Sequence, residues 1–190
     1  IFQGFFVHIS TDYVFDGKEG PYKEEDDVNP ISIYGKTKLL GEEIVIKNSK
    51  QWAILRTNVL FGIDSKASFV KWVVNSLKFD KDINVVDDQI NNPIWTNDFA
   101  KIIDLVISNN INGLFHIGSD TFCSRYKFAH MIAEVFDLKK EKIHPITTES
   151  LNQIAPRPLK SGLVSKKLLS KLEIKNIDLK KSLFSIKNQI

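Results

Sequence analysis

A phenol and an ammonium placed four residues apart can act together on a proton. Tyr34 and Lys38 have that spacing, within Tyr34-Gly35-Lys36-Thr37-Lys38. On a helix both side chains fall on one face, about one turn apart. A cation beside a phenol favours the phenolate, so such a pair can release a proton and take it back. Upstream, Ser10-Thr11-Asp12-Tyr13 offers hydroxyls. At the end of a strand, one of them would complete a polar trio able to grip a carbonyl. The spacing alone is weak, since a lysine-rich chain with four tyrosines produces it by chance, and a surface helix is the plain alternative.

The surrounding elements give the motif its weight. Phe5-Phe6-Val7-His8-Ile9 reads as a buried strand of a parallel sheet, turning polar at Ser10-Thr11, on the sheet edge where open α/β folds bind ligands. Asp16-Gly17 marks a turn, and Glu24-Glu25-Asp26-Asp27 reads as a solvated loop. Asn29-Pro30 predicts a helix start with Asn29 as cap, and the helix runs from about Ile31 to Lys47. Ile33, Leu40 and Ile44 are its expected buried stripe, with Leu39 beside it. Gly35 would let another backbone or a cofactor come close. Trp52 to Thr57 is the next strand, closing a right-handed βαβ unit. The pattern continues with a helix over Phe69 to Leu77, a strand at Ile83 to Val86 and a loop to Pro93. A helix over Phe99 to Ser108, capped by Thr96 or Asn97, precedes a strand at Leu114 to Ile117. Ser124 caps a helix from Tyr126 to about Phe136, Ile143 to Ile146 is extended, and smaller helices cover Ser165 to Leu172 and Leu179 to Lys187.

Composition narrows the partners. The 190 residues are 43% hydrophobic, enough for a core, and the net charge is only +3. Basic residues are not interleaved with aromatics in any run, which argues against nucleic acid, and no stretch approaches a membrane span. Arginine occurs only at 56, 125 and 157 in an otherwise lysine-based surface. Cys123, the one cysteine, excludes an intrachain disulfide, and the histidines at 8, 116, 130 and 144 lack metal-ligand spacing. His8 and His116 read as packed strand histidines and Cys123 as an inert thiol. The short apolar start lacks a basic leader, so a cytoplasmic location is expected.

Ser10-Thr11-Asp12-Tyr13-Val14-Phe15-Asp16-Gly17, Pro21-Tyr22-Lys23-Glu24, Asn29-Pro30, the Tyr34 to Lys38 motif and Gly41-Glu42 together resemble the extended short-chain dehydrogenase/reductases. More narrowly they resemble the dTDP-4-dehydrorhamnose reductase family. Leu55-Arg56-Thr57, Asp88-Gln89, Asn92-Pro93 and Arg157-Pro158-x-x-Ser161-x-Leu163 follow in the family's order. The resemblance implies an α/β fold: the C-terminal part of a Rossmann-like doubly wound parallel sheet, interleaved with a small α+β substrate-binding region. Residues 1–62, with further sheet elements at about 95–119, fall to the sheet, and 63–94 with 120–190 to the substrate region. It also implies reduction of a 4-keto nucleotide sugar with NADPH or NADH. Tyr34 is then the acid that protonates the sugar oxygen, Lys38 holds the nicotinamide ribose, and Thr11 bonds the substrate carbonyl. Asp12 and Tyr13 are expected beside the sugar, and Ile9 near the cofactor. The resemblance leaves Mg²⁺ and a homodimer open.

The sequence departs from the family in informative places. Val59 stands where rhamnose-forming reductases place a tryptophan against the sugar, which puts the particular sugar in doubt. Asn91 and Ile94 replace a common glycine and threonine. Arg157 suits a bidentate grip on a diphosphate, and equally an incidental surface arginine. Neither G-x-x-G-x-x-G nor G-x-G-x-x-G occurs, so the chain is expected to be a C-terminal part, joining the family pattern just before its fourth strand. Two other readings stand beside the reductase: a non-catalytic module like the regulatory subunit of methionine adenosyltransferase, and a nucleotide-sugar epimerase or dehydratase. Dehydratases would want Thr-Asp-Glu, and here Tyr13 follows Asp12.

Overall fold

A computed structural model describes residues 4–63 and 68–189. In chain order its elements are β1 (Phe6–Thr11), α1 (Ile33–Asn48), β2 (Trp52–Thr57), β3 (Leu60–Phe61), α2 (Phe69–Lys78), β4 (Ile83–Val86), β5 (Ile90–Asn91) and β6 (Ile94–Trp95). There follow α3 (Thr96–Ser108), β7 (Gly113–Ile117), β8 (Cys123–Ser124), α4 (Arg125–Val135), β9 (Ile143–Ile146), α5 (Lys166–Lys171) and α6 (Leu179–Lys187).

The largest sheet is parallel, in the order β1-β2-β7. Phe6 to Thr11 pairs in register with Trp52 to Thr57, and Ala53 to Thr57 with Gly113 to Ile117. β2 at its centre is buried almost throughout, whereas Phe6 and Ile9 of β1, expected to be buried, are 41% and 43% exposed. On one face Ala53, Leu55, Phe115 and Ile117 pack against Phe99, Ile102 and Val106 of α3 and against Leu168 of α5. A second core joins α2, α4 and α6 to the parallel pair β4–β9. Two short pairs complete the strand pairing, β3–β6 parallel and β5–β8 antiparallel.

The other face of the main sheet carries α1, and here the predicted stripe is corrected. Ile33, Leu40 and Ile44 are 82%, 55% and 53% exposed. The helix instead turns Gly35, Glu42 and Val45 inward, with Leu39 partly buried. The sheet beneath is polar: Arg56 and His116 are both buried there. A carboxylate on the helix suits that surface better than an isoleucine would. Arg56 Nε and Nη2 donate to Glu42 Oε1 and Oε2 at 2.9 and 2.7 Å, and Ser10 Oγ also donates to Oε1.

Two helix starts also differ from expectation. α1 is capped by Ser32, whose Oγ accepts from Gly35 N at 3.1 Å, while Asn29 Nδ2 donates to Asp16 instead. α3 begins at Thr96 with Trp95 in the cap position and no side-chain cap, because β6 runs straight into it. Ser124 caps α4 as expected, accepting from Lys127 N at 3.1 Å.

Candidate active site

β1 ends at Thr11 and the chain turns at once. Thr11 Oγ accepts from Tyr13 N at 3.2 Å and caps one turn of 3₁₀ helix, Asp12–Val14. That turn passes under α1 so closely that a Cβ on Gly35 would lie 2.1 Å from the Tyr13 carbonyl oxygen. Gly35 therefore serves the approach of backbone to backbone. The result puts Tyr34 beside the strand end: its ring meets that of Tyr13 edge to face, centroids 5.7 Å apart.

Thr11, Asp12, Tyr13, Tyr34, Val59 and Arg157 line one cavity of about 620 Å³. Lys38 and Ile9 do not line it; they meet at its side, the Lys38 ammonium donating to the Ile9 carbonyl. Tyr34 is 54% and Ile9 43% exposed, and the Lys38 contact to the Ile9 carbonyl is itself open to solvent, so these three residues form an exposed rim. In donor and acceptor type they fit the ribose and carboxamide end of a nicotinamide nucleotide. The sequence has no glycine-rich turn for the pyrophosphate, so the fit extends to that end alone. Among the described residues no group of three or more His, Cys, Asp or Glu could hold a metal ion.

The far wall is cationic. Arg157 Nη1 donates to the Tyr13 hydroxyl at 2.9 Å. It rides on a strap, residues 157–164, that hydrogen-bonds to two regions: Lys160 N donates to Gly17 O at 2.8 Å and Ser161 N to Ile90 O at 3.0 Å. Arg125, at the start of α4, lines the same cavity. Burial lowers its pKa, and its neighbours include Tyr13, Arg157 and Asp12. A second cavity of about 670 Å³ shares Val59 and Arg125 with the first and is lined by Phe69. The Arg125 guanidinium lies 5.6 Å from the Phe69 ring centroid.

Sequence reasoning assigned no role to Arg125, Ser161 or Asn58. The scarcity of arginine was a usable signal, because the three in the chain are Arg56 under α1 and the two at this cavity. Asn58 and Asn91 line the cavity with side-chain oxygens that are buried and unpartnered, which suits a hydrogen-bonding ligand.

The lone thiol and the histidines stand apart from this cavity. Burial pushes Cys123 up to about 11, so it is inert. His116 is fully buried in β7, with burial first and Arg56 second pushing it down to about 3. His8 is half-buried against Gly41, and its pKa is lowered by burial and by Lys38.

A parallel sheet with a polar cavity at its strand ends makes this a Rossmann-like α/β protein. Residues 2–189 match the family model described as the RmlD substrate binding domain, and the chain belongs to that family. The spore coat polysaccharide biosynthesis protein SpsK of Bacillus subtilis (strain 168) is 38% identical over 159 residues, 83% of this chain and 55% of that protein. Methionine adenosyltransferase 2 subunit beta of Bos taurus is 36% identical over 151 residues, 75% of this chain and 45% of that protein. The crystal structure of dTDP-4-dehydrorhamnose reductase from Bacillus anthracis in complex with NADP superposes with a TM-score of 0.91 at 30% identity, covering 98% of this chain and 66% of that one. The chain thus spans about half the length of the curated relatives it matches.

Proposed function

We propose that the complete protein reduces a 4-keto nucleotide sugar, with NADPH as the favoured donor. The observation that carries this reading is the convergence of Thr11 and Tyr34 on one cavity whose far wall holds Arg125 and Arg157. The nicotinamide, when bound, supplies hydride to the sugar carbonyl carbon. The chain's own residues do the rest. Thr11 donates to the carbonyl oxygen and stabilises the negative charge that develops there. Tyr34 passes its proton to that oxygen, completing the alcohol, and Lys38 holds the ribose and supports Tyr34. Asp12, Tyr13 and Val59 bound the sugar. Ile9 fixes Lys38 through its carbonyl. Arg157 and Arg125 take the diphosphate, charge against charge. In this reading residues 1–62 and about 95–119 serve the cofactor side, and 63–94 with 120–190 the substrate side.

The test is turnover of dTDP-4-keto-6-deoxy sugars by the complete protein, followed by loss of NADPH absorbance. Activity that vanishes in Tyr34→Phe supports the reading. Turnover unaffected by Tyr34→Phe overturns it.

A second reading has its own support, the 36% identity to a methionine adenosyltransferase subunit. There the chain would act as a binding module. Tight association with a catalytic adenosyltransferase subunit, insensitive to Tyr34→Phe and unaccompanied by sugar reduction, would favour it.

A further inference from the structure

The turn after Thr11 holds a carboxyl, Asp12, that takes no part in the hydride or proton transfer itself. Asp12 is 3% exposed and both its oxygens are engaged. Oδ1 accepts from Thr11 Oγ at 3.1 Å, and Oδ2 accepts from Ser161 Oγ. Thr11 Oγ also accepts from Tyr13 N. A threonine hydroxyl has a single hydrogen and two lone pairs. While that hydrogen goes to Asp12, Thr11 has nothing to donate to a carbonyl in the cavity.

A proton on Asp12 reverses the bond. The acid O–H then donates to Thr11 Oγ, which can accept it together with the Tyr13 amide. The Thr11 hydrogen is released to the cavity, and Ser161 continues to donate to the other carboxyl oxygen. We propose that Asp12 is a positioning residue that sets, by holding or lacking a proton, whether the Thr11 hydroxyl donates backward or into the cavity. The inference rests on the reading that Thr11 bonds the substrate carbonyl. The proton comes from solvent water and returns to it, and the sugar's own proton still comes from Tyr34.

The surroundings support a neutral acid near physiological pH. Burial pushes Asp12 up to about 7, against the opposing pull of the Ser161 and Thr11 hydroxyls and of Arg125. The titratable and charged groups lining the cavity are Tyr13 from the same turn, Tyr34 and Lys36 from α1, Arg125 from α4 and Arg157 from the strap. An anion held by the two arginines would add negative charge near Asp12 and favour its protonated form further.

Two measurements test this. Carbon-13 NMR of aspartate carboxyls in this chain should show one group titrating near neutrality, absent in Asp12→Asn and displaced in Ser161→Ala. An Asp12 carboxyl titrating in the ordinary range, about 3.5 to 4, overturns the proposal. In the complete protein, turnover should fall up to about tenfold per pH unit above neutrality. Whatever it costs in overall turnover, Asp12→Asn should flatten that alkaline limb, because an amide donates to one hydroxyl and accepts from the other as the neutral acid does. An Asp12→Asn enzyme that keeps the limb overturns it. Thr11→Val separates the two claims. If it turns over normally, the carbonyl-binding reading of Thr11 fails, whatever the NMR titration shows.

Discussion

Tyr34 and Thr11 reach the cavity from a helix and a strand end, and each is replaceable by an isostere that removes one hydroxyl. In the complete protein, Tyr34→Phe should cut turnover by a factor of about 10² to 10⁴ while NADPH affinity changes little. Steady-state kinetics beside a cofactor titration checks both halves. Removing either cavity arginine, as Arg157→Ala or Arg125→Ala, should weaken binding of dTDP to this chain by tenfold or more, measurable by calorimetry. Buried titrating groups make a separate prediction about stability. Asp12 holds its proton to about 7 in the folded chain against 3.8 as a free side chain, so its contribution declines as pH rises through that window. His116 holds its proton only below about 3 against an ordinary 6.5, so its contribution is lost as pH falls below 6.5. The slopes oppose one another, each reaching at most about 1.4 kcal/mol per pH unit. Urea unfolding of Asp12→Asn should therefore show stability falling on acidification from neutrality more steeply than in the parent chain. An unchanged profile would contradict the assignment. That Tyr34 and Thr11 meet at one cavity was readable in the sequence, because a strand end and the crossover helix after it share one edge of the sheet. Arg125 was not, because it reaches the cavity only once α4 is docked, and no local pattern encodes that docking.

At the scale of elements, everything depends on how α1 lies on the sheet. Gly35 admits the Tyr13 carbonyl, and Glu42, one turn beyond Lys38, is bound bidentately by Arg56. Gly35→Ala should push the helix off the turn, costing about 1 to 3 kcal/mol in chemical denaturation and misplacing Tyr34. Arg56→Met should cost about 3 to 5 kcal/mol, since it leaves the Glu42 carboxylate buried without its cation. The double variant Glu42→Met, Arg56→Met should recover much of that loss. The βαβ order, the longer strands and the smaller helices were legible from periodicity and punctuation, whereas the two-residue strands β3, β5, β6 and β8 were not, β5 falling in the stretch read as a loop to Pro93. The inward face of α1 was not. Its apolar residues at 33, 40 and 44 mark a helix face, but the sheet face it rests on is polar, and a pattern in one element does not report the surface of another.

At the scale of the whole molecule, the site is assembled from distant parts of the chain. The rim proposed to face the cofactor consists of Tyr34, Lys38 and Ile9, and no glycine-rich turn occurs among the 190 residues. This chain by itself should bind NADPH weakly or not measurably in a calorimetric titration, while still binding dTDP through its arginine wall. Micromolar NADPH affinity would show that the rim suffices. The strap of residues 157–164 is the long-range part: it bonds to Gly17, Tyr22 and Ile90, and it delivers both Arg157 and Ser161 to the β1 turn.

That strap sets an order of events during synthesis. A ribosome delivers Thr11, Asp12 and Tyr34 before Ser161, which lies 127 residues beyond Tyr34. Until then Asp12 lacks the hydroxyl that Ser161 donates to its Oδ2. The β1 turn therefore gains its Ser161 and Arg157 partners only when the strap arrives. Site maturation in this sense follows synthesis of the strap, and a chain stalled before residue 157 would lack Arg157 and Ser161 at the cavity.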